Sequence, residues 1–278
     1  MDKTKLLAPY ATHVSILLLY MQTTNRRLSK ACGYGMIEKA IYIPRRLRMI
    51  PQETKETFEA ILANRVLLYK FFHKTFGREP DAAYMALFDN DAIAQALALL
   101  STSEDDALAK AAAFLNGQRE KNADPDYLPQ LRNEYMRLFV GPQKLVAPPW
   151  ESVYRSHQGL LFQESTLTIR EIYRRQGFEA EGYPRVPDDS LSLELDFMGR
   201  IAERALGAIK EDNVDALREA LSVCESFLRV HLLYWVPMMM ERMQSSAFRL
   251  FYPQMVKILL SFMELDLELV QAMLAMEL

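Results

Sequence analysis

ETKETFEAILANRVLLYKFFHKTFG, residues 53–77, carries Phe58, Ile61, Leu62, Leu68, Tyr69, Phe72 and Phe76 at helical spacing. That spacing lays the apolar side chains along one face of an α-helix. Gly77 closes the stretch and fits the position just past a helix C-terminus. Downstream the same period returns. Pro80 opens a second helix through Tyr84, Leu87 and Phe88, and an alanine-rich helix spans Asp91 to Leu100. Ser103 to Asp106 begins another, its acids complementing the helix dipole. Tyr127, Leu131, Tyr135, Leu138 and Phe139 mark a fifth.

The period stops between Gly141 and Pro149, where Gly141-Pro142 and Pro148-Pro149 cannot continue a helix. This segment reads as a hinge near residues 141–150. Beyond it, Ser165 to Gln176 is helical and ends at Gly177, residues 183–189 form a loop, and Leu191, Leu195, Met198, Ile201 and Ala205 line a long helix. A stripe of Val214, Leu217, Leu221, Cys224 and Leu228 reaches His231 and Trp235 before Pro237, which is expected to kink or end it. A helix rich in leucine and methionine, Gln254 to Met276, completes the pattern. The expected fold class is all-α: one helical domain over residues 53–278, its two halves joined at the hinge. Residues 1–52 mix a short apolar run with basic clusters and read as an N-terminal extension, disordered or the product of a misassigned start. Within it Arg26-Arg27 looks like a twin-arginine signature, but Glu38 and Lys39 interrupt the stretch after it, where a signal would be uncharged and apolar.

Composition narrows the function. The 278 residues are 50% hydrophobic and 25% charged, the balance of a folded globular chain. Only 10 glycines occur, about half the usual share, which agrees with helices rather than turn-rich sheet. A net charge of −3 gives a nucleic-acid backbone nothing to bind, so no nucleic acid is expected as partner. No apolar run reaches the roughly 18–20 residues of a membrane span, so no stable membrane insertion is expected. Cys32 and Cys224 form no CxxC pair, which fits a reducing cytoplasm.

Catalytic motifs do not appear. His13, His73, His157 and His231 are scattered, with no HExxH pair, so no metal site is expected. No phosphate loop, dinucleotide-binding turn or nucleophile elbow occurs. Neither a catalytic residue nor a cofactor of the chain's own is expected.

Three segments instead gather aromatic, proline and acidic residues. The first runs from Tyr135-Met136-Arg137-Leu138-Phe139 to Pro148-Pro149-Trp150-Glu151-Ser152-Val153-Tyr154; the second is Pro187 to Met198; the third is His231 to Pro237. In that order they resemble the TorD/DmsD family of redox-enzyme maturation chaperones, which includes the more distant NarJ branch. Ser190 stands where the family pattern has histidine. The resemblance implies an all-helical, cytoplasmic chaperone. Its partners would be the twin-arginine signal peptide and catalytic subunit of a molybdopterin-dependent oxidoreductase, retained until the cofactor is inserted. It also admits a domain-swapped homodimer, which the hinge permits.

Such a signal offers two guanidinium groups followed by an apolar segment, so its receptor needs carboxylates beside an apolar groove. Glu151, Asp188, Asp189 and Glu194 are candidates for the first. Trp150, Tyr154, Trp235 and the methionines Met238, Met239, Met240 and Met243 are candidates for the second, and His231 completes the peptide-binding set. Each has a structural alternative. Asp188 and Asp189 fit a helix N-cap, Glu194 a solvated helix face, Trp150 and Tyr154 hinge packing, His231 a hydrogen-bonded core histidine, and the methionines core filling. Two other function classes stay open: an all-helical small-molecule or nucleotide-hydrolysing enzyme, and an oligomeric scaffold.

Overall fold

A computed structural model describes residues 50–101, 106–142, 145–156, 161, 164–180, 187–245 and 250–276. The extension up to residue 49, with its Arg26-Arg27 pair, lies outside the described residues, as do parts of the 141–149 hinge and of the 183–189 loop. Described residues form an all-α fold. Its helices are α1 (Gln52–Gly77), α2 (Ala82–Met85), α3 (Ala92–Leu100), α4 (Ala107–Lys121), α5 (Tyr127–Tyr135) and α6 (Glu151–Arg155). After these come α7 (Glu164–Arg175), α8 (Leu191–Lys210), α9 (Val214–Phe227), α10 (Leu233–Gln244) and α11 (Tyr252–Ala275).

The centre of the molecule is the long pairing of α1 with α8, against which α9 packs; α11 then covers α9 and α10. Phe58, Leu62, Tyr69 and Phe72 of α1 and Leu195, Met198, Ile201 and Ala205 of α8 are wholly buried. Each large apolar side chain removed from water in this way contributes about 1.5–3 kcal/mol. Glycine sets how closely the two helices approach. A Cβ on Gly199 would sit 3.4 Å from that of Tyr69, and one on Gly77 would collide with Ser192 Oγ. Gly77 is the last residue of α1 rather than a left-handed cap, so it is close packing that calls for glycine there. Gly177 does adopt φ 70° and closes α7 as expected, with Phe178 N–H donating to Tyr173 O at 2.8 Å.

Two buried polar ties hold distant parts together. Arg65 Nε donates to Asp266 Oδ1 at 2.5 Å, Nη2 to Oδ2 at 3.1 Å, and Tyr69 OH to Oδ2 at 2.6 Å, joining α1 to α11. Glu134, at the end of α5, accepts the backbone N–H groups of Leu250, Phe251 and Tyr252 and so caps α11 from a remote part of the chain. Burial raises the Glu134 carboxyl above its ordinary range, and those three backbone donors pull it back down.

Two helices depart from the sequence expectation. A π turn, Met136–Val140, extends α5, and a second, Leu228–Leu232, joins α9 to α10, with Leu233 N–H bonding back to Leu228 O. Pro237 does not end its helix, because α10 carries it inside and runs on to Gln244. Removing one N–H there leaves a single carbonyl without its helical donor, a loss that the tertiary packing of Trp235, Met239 and Met243 outweighs.

Candidate functional site

Pro148-Pro149 ends the preceding segment and leaves Trp150 extended, where it pairs antiparallel with Ser190. Glu151 N–H donates to Asp189 O at 3.0 Å and Leu191 N–H to Pro149 O at 2.9 Å. From this one bridge two helices depart, α6 from Glu151 and α8 from Leu191. The cap of α8 is Ser190, whose Oγ accepts from Leu193 N–H at 3.4 Å, so neither Asp188 nor Asp189 caps that helix. Asp189 caps its neighbour instead. Its Oδ2 accepts from Ser152 N–H in the first turn of α6 at 2.7 Å, and its Oδ1 from Thr166 Oγ1 of α7 at 3.0 Å. Sequence reasoning placed the acid at a helix N-terminus but could not see that the helix belongs to another part of the chain.

Glu151, Asp188, Asp189 and Glu194 are all buried. Glu194 is therefore not on a solvated face: its Oε2 accepts from Trp235 Nε1–H at 3.0 Å. Its other oxygen has no partner within hydrogen-bonding distance. Burial, and then the nearby charge of Glu151, push the Glu194 carboxyl well above the usual carboxylate range, while the Trp235 bond opposes the shift. Taking up a proton relieves the repulsion between this carboxyl and the charge of Glu151. Glu151 in turn accepts from His231 Nδ1, 3.0 and 3.1 Å from its two oxygens, and from Arg155 Nε. His231 is a buried, hydrogen-bonded histidine, its ring tilted against Phe227 at 4.8 Å. His231, in the second π turn, sits four residues before Trp235, so both side chains leave one face toward α6 and α8.

Aromatic rings cover this acidic centre. Tyr154 stacks on Trp235 at 5.3 Å, and the Arg242 guanidinium lies 4.3 Å from the Tyr154 ring. Arg155 rests 4.0 Å over Tyr234 and also donates to Val230 O. On the α7 side, Arg170 donates from Nε (3.0 Å) and Nη2 (2.7 Å) to Asp188 Oδ2, and Tyr173 OH donates to Asp188 O at 3.2 Å.

Five of the expected binding residues touch one another by side chain, Glu151 with His231, and Trp235 with both Glu194 and Tyr154. The Asp188 and Asp189 side chains are held instead by Arg170, Ser152 and Thr166, and Trp150, half-buried, joins by its backbone. The methionines behave differently. Met239 and Met243 are fully buried in the core, and Met238 and Met240 are half-buried against it. Arg155, Arg170, Tyr173, Tyr234 and Arg242 were not singled out from sequence. Only Arg155 left a signal, four residues after Glu151 in a helical stretch. An open groove of about 400 Å³, lined by Ala60, Ala63, Leu67, Leu99 and Leu206, lies toward the opposite end of α8.

Fold and site together define an all-helical protein whose chemistry is concentrated in a buried carboxylate and aromatic junction. The nitrate reductase delta subunit family matches residues 81–241. The Tat proofreading chaperone DmsD of Salmonella typhi is 30% identical over 188 residues, which span 68% of this chain and 79% of that protein. Chaperone protein TorD of Vibrio parahaemolyticus is 25% identical over 213 residues, 75% of this chain and 95% of its own. The chain belongs to the TorD/DmsD family, and the relatives just described are named as chaperones. Among the described residues, no helix is long and apolar enough to cross a membrane.

Proposed function

We propose that this chain is a cytoplasmic maturation chaperone that binds the twin-arginine signal peptide of a molybdopterin-dependent oxidoreductase catalytic subunit. It retains that subunit until its cofactor is inserted. The observation that carries the reading is the meeting of three distant segments, around Glu151, Asp189 and His231, in one acidic centre faced with aromatic rings. Those are the two kinds of group, carboxylate and aromatic, that a cationic, apolar leader requires. The names of the relatives point the same way, since one is called a Tat proofreading chaperone. The 141–149 connection is the hinge through which a domain-swapped dimer would form.

Affinity capture with the full chain tests the reading, using cells grown on an alternative electron acceptor and mass spectrometry of what is retained. The expected catch is a molybdopterin oxidoreductase catalytic subunit, lost when its leader is removed genetically. Capture that is indifferent to the leader would refute leader recognition.

A further inference from the structure

We propose that Arg155 and Arg170 are built-in occupants of the two carboxylates that an incoming leader's arginines take over; the inference rests on the function proposed above. Glu151 and Asp188 stand beside the two strands of one backbone bridge, and each already holds a guanidinium of this chain. The acids are buried and the bases reach water. The side chains of Glu151 and Asp188 are 0% and 3% exposed, whereas those of Arg155 and Arg170 are 29% and 20% exposed. Each arginine can therefore swing outward into water while its acid stays in place.

An empty site would be costly, because a buried carboxylate stripped of its partner loses far more than a surface pair gains. Exchange avoids that cost: two guanidinium groups leave as two arrive, and the buried charge never stands alone. Arg155 also keeps a resting place after displacement, since Tyr234 offers it a ring face and Val230 a carbonyl. Beside Arg170, Glu179 lines the small cavity it shares with Asp188 and supplies a second acid. The two pairs also face opposite ways. Glu151 looks toward His231 on the α10 side, and Asp188 toward α7. Adjacent residues of an extended peptide project their side chains in the same alternating manner. Arg170 meets Asp188 through two nitrogens, a fork that lysine lacks. The same geometry makes the exchange selective for arginine.

A resident competitor lowers apparent affinity by the fraction of sites it fills. Calorimetric titration of the full chain, with a synthetic peptide bearing adjacent arginines ahead of an apolar segment, reads that competition. Arg155→Gln with Arg170→Gln should tighten binding by roughly tenfold, and each single change by less. A peptide with lysines in place of the arginines should show no gain. Arg155→Lys and Arg170→Lys keep the charge but lose the guanidinium contacts, at Arg170 the two-nitrogen fork and at Arg155 the Nε bond and the ring stacking. They should also tighten binding, which keeps the test open if the glutamine variants fold poorly. Hydrogen exchange at the Arg155 Nε–H provides a second readout: its protection should fall when peptide saturates the wild type. Unchanged or weaker binding by folded variants, or protection retained in the complex, would overturn the exchange while leaving leader binding intact. Failure of every form to bind would overturn both.

Discussion

Arg65 with Asp266, and Arg155 with Glu151, are both arginine–carboxylate pairs, in two settings. In the first, arginine and acid are 1% and 0% exposed, and Tyr69 adds a third bond to the acid. In the second the acid is equally buried, but the arginine is 29% exposed and lies on an aromatic ring at the surface. The first pair joins α1 to α11 and has no route to water. The second lies within a five-residue helix, its base reaching Val230 of the second π turn and the Tyr234 ring at the start of α10, and opens outward. Burial of the acid alone therefore does not make a pair structural; what decides is whether the base can leave.

The largest expected effect breaks the closed pair. Asp266→Ala leaves Arg65 buried and uncompensated and should cost about 3–5 kcal/mol, read from urea unfolding. A loss below about 1 kcal/mol would erase the contrast between the two settings. Next comes Trp235→Phe, which removes the donor to Glu194 and should cost about 1–3 kcal/mol, visible as a lower Tm.

Glu194→Gln sharpens the comparison by pH. Because the folded carboxyl is raised above its unfolded value, its contribution is fully present below the ordinary carboxylate range and is lost as pH rises through the folded pKa. Wild-type stability should decline over that rise. The glutamine variant, which mimics the protonated acid, should hold level and be the more stable at alkaline pH. Parallel profiles would mean that Glu194 is buried ionised. The smallest effect belongs to the open pair: Arg155→Gln leaves the buried Glu151 without its arginine but still bonded to His231, and should cost about 1 kcal/mol, well below the loss at the closed pair.

Helix positions were legible because the apolar period of α1, α8, α9 and α11 is long and uninterrupted. The end of α1 was located at Gly77, but for the wrong reason, because the approach of Ser192 is a tertiary fact. Of the two outcomes expected at Pro237, a kink or an end, the end does not occur: α10 runs through it to Gln244, because local geometry yields to packing that lies outside the helix. At the site, the conspicuous acids and aromatics could be named from their segments, yet their burial could not, since nothing in residues 187–198 reveals that α6 and α10 close over them. Arg170 and Arg242 left no trace because their partners lie 18 residues away or are rings. The methionines went into the core because their neighbours there, and not their flexibility, set their place.

The most direct test titrates the full chain with two leader peptides, identical but for an arginine or a lysine pair, at low and at moderate salt. Guanidinium recognition in a buried acidic centre predicts tighter binding of the arginine form at both salt levels, with the preference lost in Glu151→Gln combined with Asp188→Asn. Equal affinity for the two peptides, vanishing together as salt rises, would contradict it.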